Sequence, residues 1–189
     1  MEIGESIIHC CIDIETLGLQ TTCEILEVAA VVFSVSERNG VFIHKEFVES
    51  CNVDLTKAEP ETLAWWRSTH YLSASLDYML DNSSRAFAVT QDTAADNLAR
   101  FIASQNVEFL WSQGKDFDFP ILRRNLPAFD EISKVPYANV HCARDLGKFA
   151  VFAGNKRHAP KPAKPHRALY DARTTVSSIS HNLRALKGR

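Results

Sequence analysis

Hydrophobic residues in the first quarter of the chain fall into three dense runs that are separated by short polar turns. The run from Ser6 to Ile14 has little polar interruption, which is typical of a central strand buried on both faces. The run from Ile25 to Val35 is rich in β-branched residues and predicts a second strand, and Val41 to Val48 predicts a third. The dipeptide Asn39-Gly40 favours a tight hairpin between the last two. Three strands with such short links predict an antiparallel meander.

The rest of the chain alternates between helical and strand-like patterns. Apolar spacings of three and four residues predict helices, and short apolar runs predict strands. The predicted helices cover residues 58–70, 90–105, 119–125, 143–152 and 168–186, the predicted strands 107–111 and 137–142, and the predicted loops 81–84 and 154–165. The helix at 119–125 tolerates Pro120 only in its first turn. This order predicts an α/β fold with a mixed five-stranded sheet, in which parallel strands extend the meander and helices flank the faces.

Composition narrows the class of protein without naming a function. The 189 residues fit one domain, predicted to span 1–189, and the net charge of -2 means that any attraction to phosphate groups has to be local. The five cysteines are odd in number and lack Cys-x-x-Cys spacing, which favours reduced, buried thiols over disulfides or a zinc site. No signal peptide is recognisable and no apolar run reaches the roughly 18 residues of a membrane span, so we expect a cytoplasmic protein without membrane contact.

Two carboxylates lie at the end of the first predicted strand, in C-I-D-I-E-T. Asp13 and Glu15 are two residues apart, so their side chains point to the same face of a strand. Charged groups on an apolar strand are unfavourable unless something binds them. The alternative is that Glu15 and Thr16 only begin a loop.

Three further candidates lie later in the chain. Asp118 in D-F-D-F-P-I-L follows a predicted strand, although it also suits a helix N-cap and Asp116 competes for either role. His166 and Asp171 flank the start of the last helix, where Asp171 borders the buried stripe. The alternatives are a carboxylate that favours the helix dipole and a solvated loop histidine. Carboxylates brought together repel one another unless a cation neutralises them, so the set indicates divalent metal chemistry.

The combined motifs resemble those of the DEDDh group of 3′–5′ exonucleases in the DnaQ-like superfamily. The matching motifs are D-I-E-T, F-D-x-x-x-L and H-x-A-x-x-D, in the same order and at similar spacing, over nearly the whole chain. The segment T-L-A-W-W-R is similar to the T-x-x-W-W helix of the phage exonuclease A branch and its bacterial exoribonuclease relatives. The resemblance implies a ribonuclease-H-like fold.

The resemblance also implies a role for each matched residue. Asp13 bridges two metal ions, Glu15 and Asp171 complete one of them, and Asp118 holds the second. His166 is the general base that deprotonates the attacking water. Oxygen ligands suit two Mg²⁺ or Mn²⁺ ions, which stabilise the entering and leaving oxygens of a phosphoryl displacement. The implied partners are the 3′ ends of single-stranded DNA or RNA, the implied products are nucleoside 5′-monophosphates, and related proteins suggest a homodimer.

Substrate contacts are implied at two places near these motifs. In the family, the backbone at Thr16 and apolar side chains near Leu17 and Leu19 contact the terminal nucleotide; the alternative is ordinary turn packing. Trp65 and Trp66 point about 100° apart on a helix, so one is predicted to belong to the core. The other, for which we select Trp66, is predicted to stack on a base.

A basic segment before the last helix is a third candidate for substrate contact. It contains Lys156, Arg157, Lys161 and Lys164, with Arg167 just beyond. Lys164 and Arg167 are the two predicted to grip the phosphate backbone, which makes binding sensitive to salt. The alternative is a solvated, mobile loop.

Three functions follow from these observations. The first is a metal-dependent 3′–5′ exonuclease on single-stranded DNA or RNA. The second is a catalytically weak module that binds 3′ ends, or a subunit of a nucleic-acid processing complex. The third is a metal hydrolase of the same fold that acts on short oligonucleotides.

Overall fold

The computed structural model describes residues 7–36, 40–156, 158 and 160–187 and contains five strands and seven α-helices in this part of the chain. The strands are β1 (His9–Thr16), β2 (Ile25–Ser36), β3 (Gly40–Ser50), β4 (Phe109–Ser112) and β5 (Val140–Cys142). The helices are α1 (Pro60–Trp66), α2 (His70–Ser83), α3 (Gln91–Ser104), α4 (Lys115–Asn125), α5 (Phe129–Ser133), α6 (Ala143–Phe152) and α7 (Ala168–Lys187).

The strands form one mixed sheet in the order β3-β2-β1-β4-β5. β1 pairs antiparallel with β2, β2 pairs antiparallel with β3, and the β1–β4 and β4–β5 pairs are parallel. The predicted meander and its parallel extension are thereby confirmed. β1 occupies the centre of the sheet, which explains its almost uninterrupted apolar sequence.

The two faces of β1 contact different helices because successive side chains on a strand point to opposite sides. Cys10, Ile12 and Ile14 belong to a large core that includes buried residues of α3, α4 and α5. Cys11 packs on the other face, in a core that includes the α7 residues Ala172, Val176 and Ile179. Asp13 and Glu15 continue the Cys11 row, so the sheet directs both carboxylates towards α7.

The segment after β3 corrects the predicted helix at 58–70 and the predicted loop at 81–84. The helix is shorter, α1, and a second helix, α2, follows it and includes residues 81–83. Thr69 accepts a hydrogen bond from the Leu72 amide and caps α2. Leu72, Leu76 and Met79 are its buried stripe. Exposed aromatic residues between them obscure this stripe in the sequence.

Two further boundaries differ from the prediction. α4 begins at Lys115 rather than at Phe119, so Pro120 lies inside the helix and removes one i→i−4 hydrogen bond. The strand predicted at 137–142 is reduced to β5, because residues 137–139 form a 3₁₀ turn. Gly40 has a φ of 79°, which suits the predicted hairpin, whereas Ser6, Asn39 and Arg157 lie outside the described residues.

The cysteines have the reduced and mostly buried form that their number and spacing predict. All five cysteines are free thiols, and four of them are buried. Among the helices described, none combines the length and the apolar content needed to cross a bilayer.

Candidate active site

Three glutamate and aspartate side chains share one face of the sheet where β1 ends. In the antiparallel register, Asp13 lies opposite Ala29 and Glu15 lies opposite Glu27. Like charges placed opposite each other destabilise a strand pair, so this arrangement requires compensation. A register shift follows immediately after Glu15, which bends the ladder at the point where the carboxylates lie. Glu27 is not among the predicted site residues, although a charged residue inside the apolar run of β2 is a visible signal in the sequence.

α4 delivers Asp118 to the same place. Asp118 lies in the first turn of α4 and is buried, whereas the side chain of Asp116 is 90% exposed and pairs with Lys115. Asp118, and not Asp116, is therefore the acidic residue of α4 that belongs to the site. The alternative in which Asp118 caps the helix is wrong, because α4 begins three residues earlier and Gly114 occupies the N-cap position.

α7 supplies Asp171, and the turn before α7 supplies His166. The backbone N–H of His166 donates a hydrogen bond of 2.7 Å to Oδ2 of Asp171. His166 has a φ of 57°, a left-handed conformation that is uncommon for a residue with a side chain. The carbonyl of Pro165 accepts hydrogen bonds from the Tyr71 hydroxyl at 2.8 Å and the Ser75 hydroxyl at 3.4 Å. These contacts hold the strained turn in position and hence the imidazole of His166.

Burial and mutual repulsion raise the pKa values of the clustered carboxyl groups. Burial raises the pKa of Asp13 well above its ordinary value, and the charges of Glu15 and Asp118 add to this shift. Burial also raises the pKa of Glu15, with the charges of Asp171 and Glu27 acting in the same direction. Such a group of anions is unstable without a positive charge nearby.

The remaining two acids are affected less strongly. Burial raises the pKa of Asp118 to about 6, and the positive charge of Arg144 opposes the shift. Burial raises the pKa of Asp171 too, although the hydrogen bond from the His166 amide lowers it.

The donor atoms fit a hard divalent cation. A carboxylate oxygen of Glu15, a carboxylate oxygen of Asp171 and a ring nitrogen of His166 all lie within 4.8 Å of one another. Asp13 and Asp118 interact electrostatically with this group. Carboxylate oxygens are the ligands that Mg²⁺ and Mn²⁺ prefer, and their crowded negative charge is what such an ion neutralises.

The site opens into a cleft of about 1060 Å³. Asp13, Glu15, His166 and Asp171 all line it, together with residues of α6 and α7. The arrangement combines acidic groups, an imidazole and an open cleft. It therefore suits metal-assisted hydrolysis.

A family model described as the 3′-5′ exoribonuclease Rv2179c-like domain matches residues 8–183 of the chain. The chain belongs to this family. Membership in this family confirms the DEDDh resemblance of the motifs. No curated protein matches the sequence.

Solved structures of exonuclease I have the same ribonuclease-H-like fold as this chain. The zinc-bound complex of E. coli exonuclease I with single-stranded DNA has a TM-score of 0.66 at 13% identity, covering 97% of this chain and 43% of that chain. The complex of E. coli exonuclease I with a dT13 oligonucleotide has a TM-score of 0.63 at 13% identity, covering 94% of this chain and 40% of that chain. The chain spans about two fifths of the length of these proteins.

The burial of the two tryptophans is the opposite of the prediction. Trp66 is fully buried and its Nε1 donates a 3.0 Å hydrogen bond to the Thr16 carbonyl, so the prediction that it stacks on a base is wrong. Trp65 is 45% exposed, and its ring contacts the ring of His166 edge-on at 5.1 Å between centroids. Because the two residues are adjacent on a helix, their rings point in different directions. The sequence alone does not indicate which ring faces the core.

The loop after β1 holds one apolar side chain out to solvent. Leu17 is fully buried in the core, so its predicted contact with the terminal nucleotide is wrong, whereas Leu19 is 71% exposed. The carboxylate of Glu59 accepts hydrogen bonds from the Leu19 amide at 2.9 Å and the Gln20 amide at 3.0 Å. A Cβ on Gly18 would lie 2.5 Å from Oε1 of Glu59, so only glycine allows this close approach.

Arg167 also has a different role from the one predicted. Its guanidinium donates to both oxygens of Glu27 at 3.1 to 3.2 Å and lies 3.7 Å from the centroid of the Tyr78 ring. The pair is almost enclosed, with side-chain exposures of 14% and 2%. The prediction that Arg167 grips substrate is wrong, because it neutralises the glutamate opposite Glu15. Lys164 remains exposed, above the Tyr170 ring.

Replacing Arg167 with alanine is expected to lower the free energy of unfolding by roughly 3–5 kcal/mol, since it leaves Glu27 buried without its partner. Urea unfolding measures this loss. The matched control is Arg173→Ala, which breaks a comparable Arg–Glu pair with Glu46 at the protein surface. We expect the control to lose no more than about 1 kcal/mol. Equal losses in the two variants would contradict the structural role of Arg167.

Proposed function

We propose that the exonuclease removes nucleoside 5′-monophosphates from the 3′ ends of single-stranded RNA or DNA, using two Mg²⁺ or Mn²⁺ ions. The observation that carries the proposal is the meeting of β1 and the start of α7 at one cleft, with Asp118 of α4 buried close enough for its charge to act on Asp13. These elements bring together the four acidic groups and the imidazole of the three motifs. A binding module has no need of so many buried and mutually repelling carboxylates.

Asp13, Glu15, Asp118 and Asp171 are the residues that would hold the cations. When bound, two divalent cations supply the positive charge that stabilises the entering and leaving oxygens of an in-line phosphoryl displacement. The mutual repulsion among the carboxylates supports this assignment, because it is the feature that cation binding removes.

His166 takes the role of general base. Its ring lies beside Glu15 and Asp171, and the backbone contacts of the turn fix its position. Histidine as a residue type accepts protons near neutral pH, which is what a general base has to do. The proton leaves the attacking water and returns to solvent through the open cleft.

The terminal nucleotide lies between the loop after β1 and the turn before α7. Leu19 is the apolar group placed to contact its base, and Trp65 offers an exposed indole beside His166. Lys164 offers a positive charge at the rim. RNA is the first substrate to assay because the family description is that of an exoribonuclease. Single-stranded DNA is the second, because exonuclease I forms a complex with a dT13 oligonucleotide.

The deciding experiment is a gel time course on 5′-labelled single-stranded RNA and DNA of the same sequence, with Mg²⁺, Mn²⁺ or EDTA. We expect a ladder that shortens from the 3′ end only when a divalent cation is present, with nucleoside 5′-monophosphates identified by mass. A strand blocked by a 3′-phosphate serves as the control for the direction of attack. The faster of the two polymers identifies the preferred substrate.

Two outcomes would contradict the proposal. Retained binding of 3′ ends without any shortening would identify an end-binding module instead. Rapid hydrolysis of dinucleotides with no attack on longer strands would identify a hydrolase of short oligonucleotides.

A further inference from the structure

One face of α6 presents three side chains to the catalytic cleft. Arg144, Lys148 and Phe152 are spaced four residues apart, which places them in one row along the helix. All three line the cleft that contains the catalytic carboxylates. We call this row the α6 stripe. None of its members belongs to the three motifs.

Phe152 is the unusual member of the α6 stripe. Its side chain is 92% exposed, so it contributes almost nothing to the core. A large aromatic ring at the wall of a cleft is suited to stacking on a nucleic-acid base, whichever base that is. Phe149, one turn earlier, is also exposed, at 67%, but is not among the residues that line the cleft.

Arg144 and Lys148 supply positive charge between Phe152 and the catalytic groups. The Arg144 guanidinium reaches over Gly114, just before α4, and its charge acts on Asp118. Arg144 therefore marks the catalytic end of the stripe. Lys148 pairs with Asp145 at 3.0 Å on the surface, an interaction weak enough for the ammonium group to turn towards a phosphate.

The length of the stripe fits a short strand. Eight residues separate Arg144 from Phe152, which is about 12 Å along the helix axis. At about 3.4 Å for each nucleotide of a stacked strand, this distance corresponds to about three or four nucleotides. From α7, the hydroxyl side chains of Thr174, Thr175 and Ser178 line the same cleft.

We propose that the α6 stripe binds the substrate strand upstream of the reacting nucleotide, with cations on its phosphates and the Phe152 ring on a base. This inference rests on the proposed function, because it extends the same cleft. It makes α6 the part of the exonuclease that distinguishes a long strand from a dinucleotide.

The test compares Phe152→Ala with Phe149→Ala in the full chain. The substrates are a dinucleotide and a strand of about 12 nucleotides, within the usual site sizes of single-strand binders. For the long strand, Phe152→Ala is expected to lower kcat/KM by about 5- to 100-fold, the usual effect of removing a stacked aromatic ring. For the dinucleotide it is expected to leave kcat/KM unchanged, and Phe149→Ala is expected to change neither value. Equal effects on both substrates, or no effect on the long strand, would overturn the proposal.

A binding measurement separates this inference from the proposed function. Fluorescence anisotropy of the same labelled strand in EDTA reports affinity without turnover. Weaker binding by Phe152→Ala than by Phe149→Ala supports the stripe even if the wild-type chain hydrolyses nothing. Identical affinities for the wild type and both variants would overturn the proposed role of the α6 stripe. They would not bear on the proposed exonuclease function. Lys148→Ala is expected to reduce the salt dependence of binding in the same assay.

Discussion

Asp13→Asn is expected to abolish turnover and, in the absence of divalent cations, to make the protein harder to unfold. The amide keeps the size of the side chain but cannot supply the negative charge that the proposed cation pair needs. Because that pair contributes several kcal/mol to the transition state, we expect the rate to fall by at least about 10³-fold. Stability rises since a buried carboxylate, repelled by Glu15 and Asp118, is replaced by a neutral group.

Asp116→Asn is the matched control for this variant. Asp116 lies in the same K-D-F-D-F-P segment as Asp118, but it is exposed and contacts only Lys115 among the pairs described. We expect its rate and stability to equal those of the wild type. Thermal unfolding in EDTA and in Mg²⁺ measures the second effect, with the wild type gaining more from Mg²⁺ than Asp13→Asn does. Wild-type turnover in Asp13→Asn would eliminate the proposed site.

His166→Asn is expected to lower kcat by roughly 10²–10⁴-fold, the usual contribution of a positioned general base. Asparagine is the appropriate replacement because it tolerates the left-handed backbone that position 166 adopts, whereas alanine adds backbone strain. The variant should therefore fold like the wild type and still be stabilised by Mg²⁺. Single-turnover kinetics at saturating substrate measures the chemical step.

Added imidazole gives a second readout for the same residue. A soluble base that partly restores the rate of His166→Asn, but leaves Asp13→Asn inactive, identifies proton transfer as the missing step. A loss of substrate affinity at unchanged kcat would show instead that His166 only binds the nucleotide. In that case the base assignment would be wrong.

Much of the fold was predictable because its local patterns are strong. β2 is a continuous β-branched run, and α7 carries an apolar stripe at spacings of three and four, so the structure confirms both elements with only small changes at their ends. α2 was missed because Tyr71 and Tyr78, which are exposed, lie beside its buried positions and hide the helical period. Hydrophobic residues that cover a surface and those that fill a core look alike in a sequence.

The motif residues of the site were predictable from the sequence. The charged residues that surround them and neutralise one another were not. Asp13 and Glu15 could be placed on one face from strand geometry alone. Their relation to Glu27 depends on the β1–β2 register, which is a tertiary property. The same register assigns Arg167 to Glu27 and so removes it from the substrate-binding residues. Trp66 and Leu17 were misassigned for a related reason. Which side of a helix or loop is buried depends on the element that packs against it, and the local sequence does not identify that element.

The loop after β1 has a thermodynamic consequence for the capture of a strand end. Its two amides are bound to Glu59 and its glycine is tightly packed, so Leu19 projects from a support that is rigid before nucleic acid arrives. The conformational entropy of this loop is therefore lost when the chain folds and not when nucleic acid binds. Under the proposed function, a 3′ terminus would meet a preformed template here, and the fixed shape of the wall would disfavour a bulky modified end.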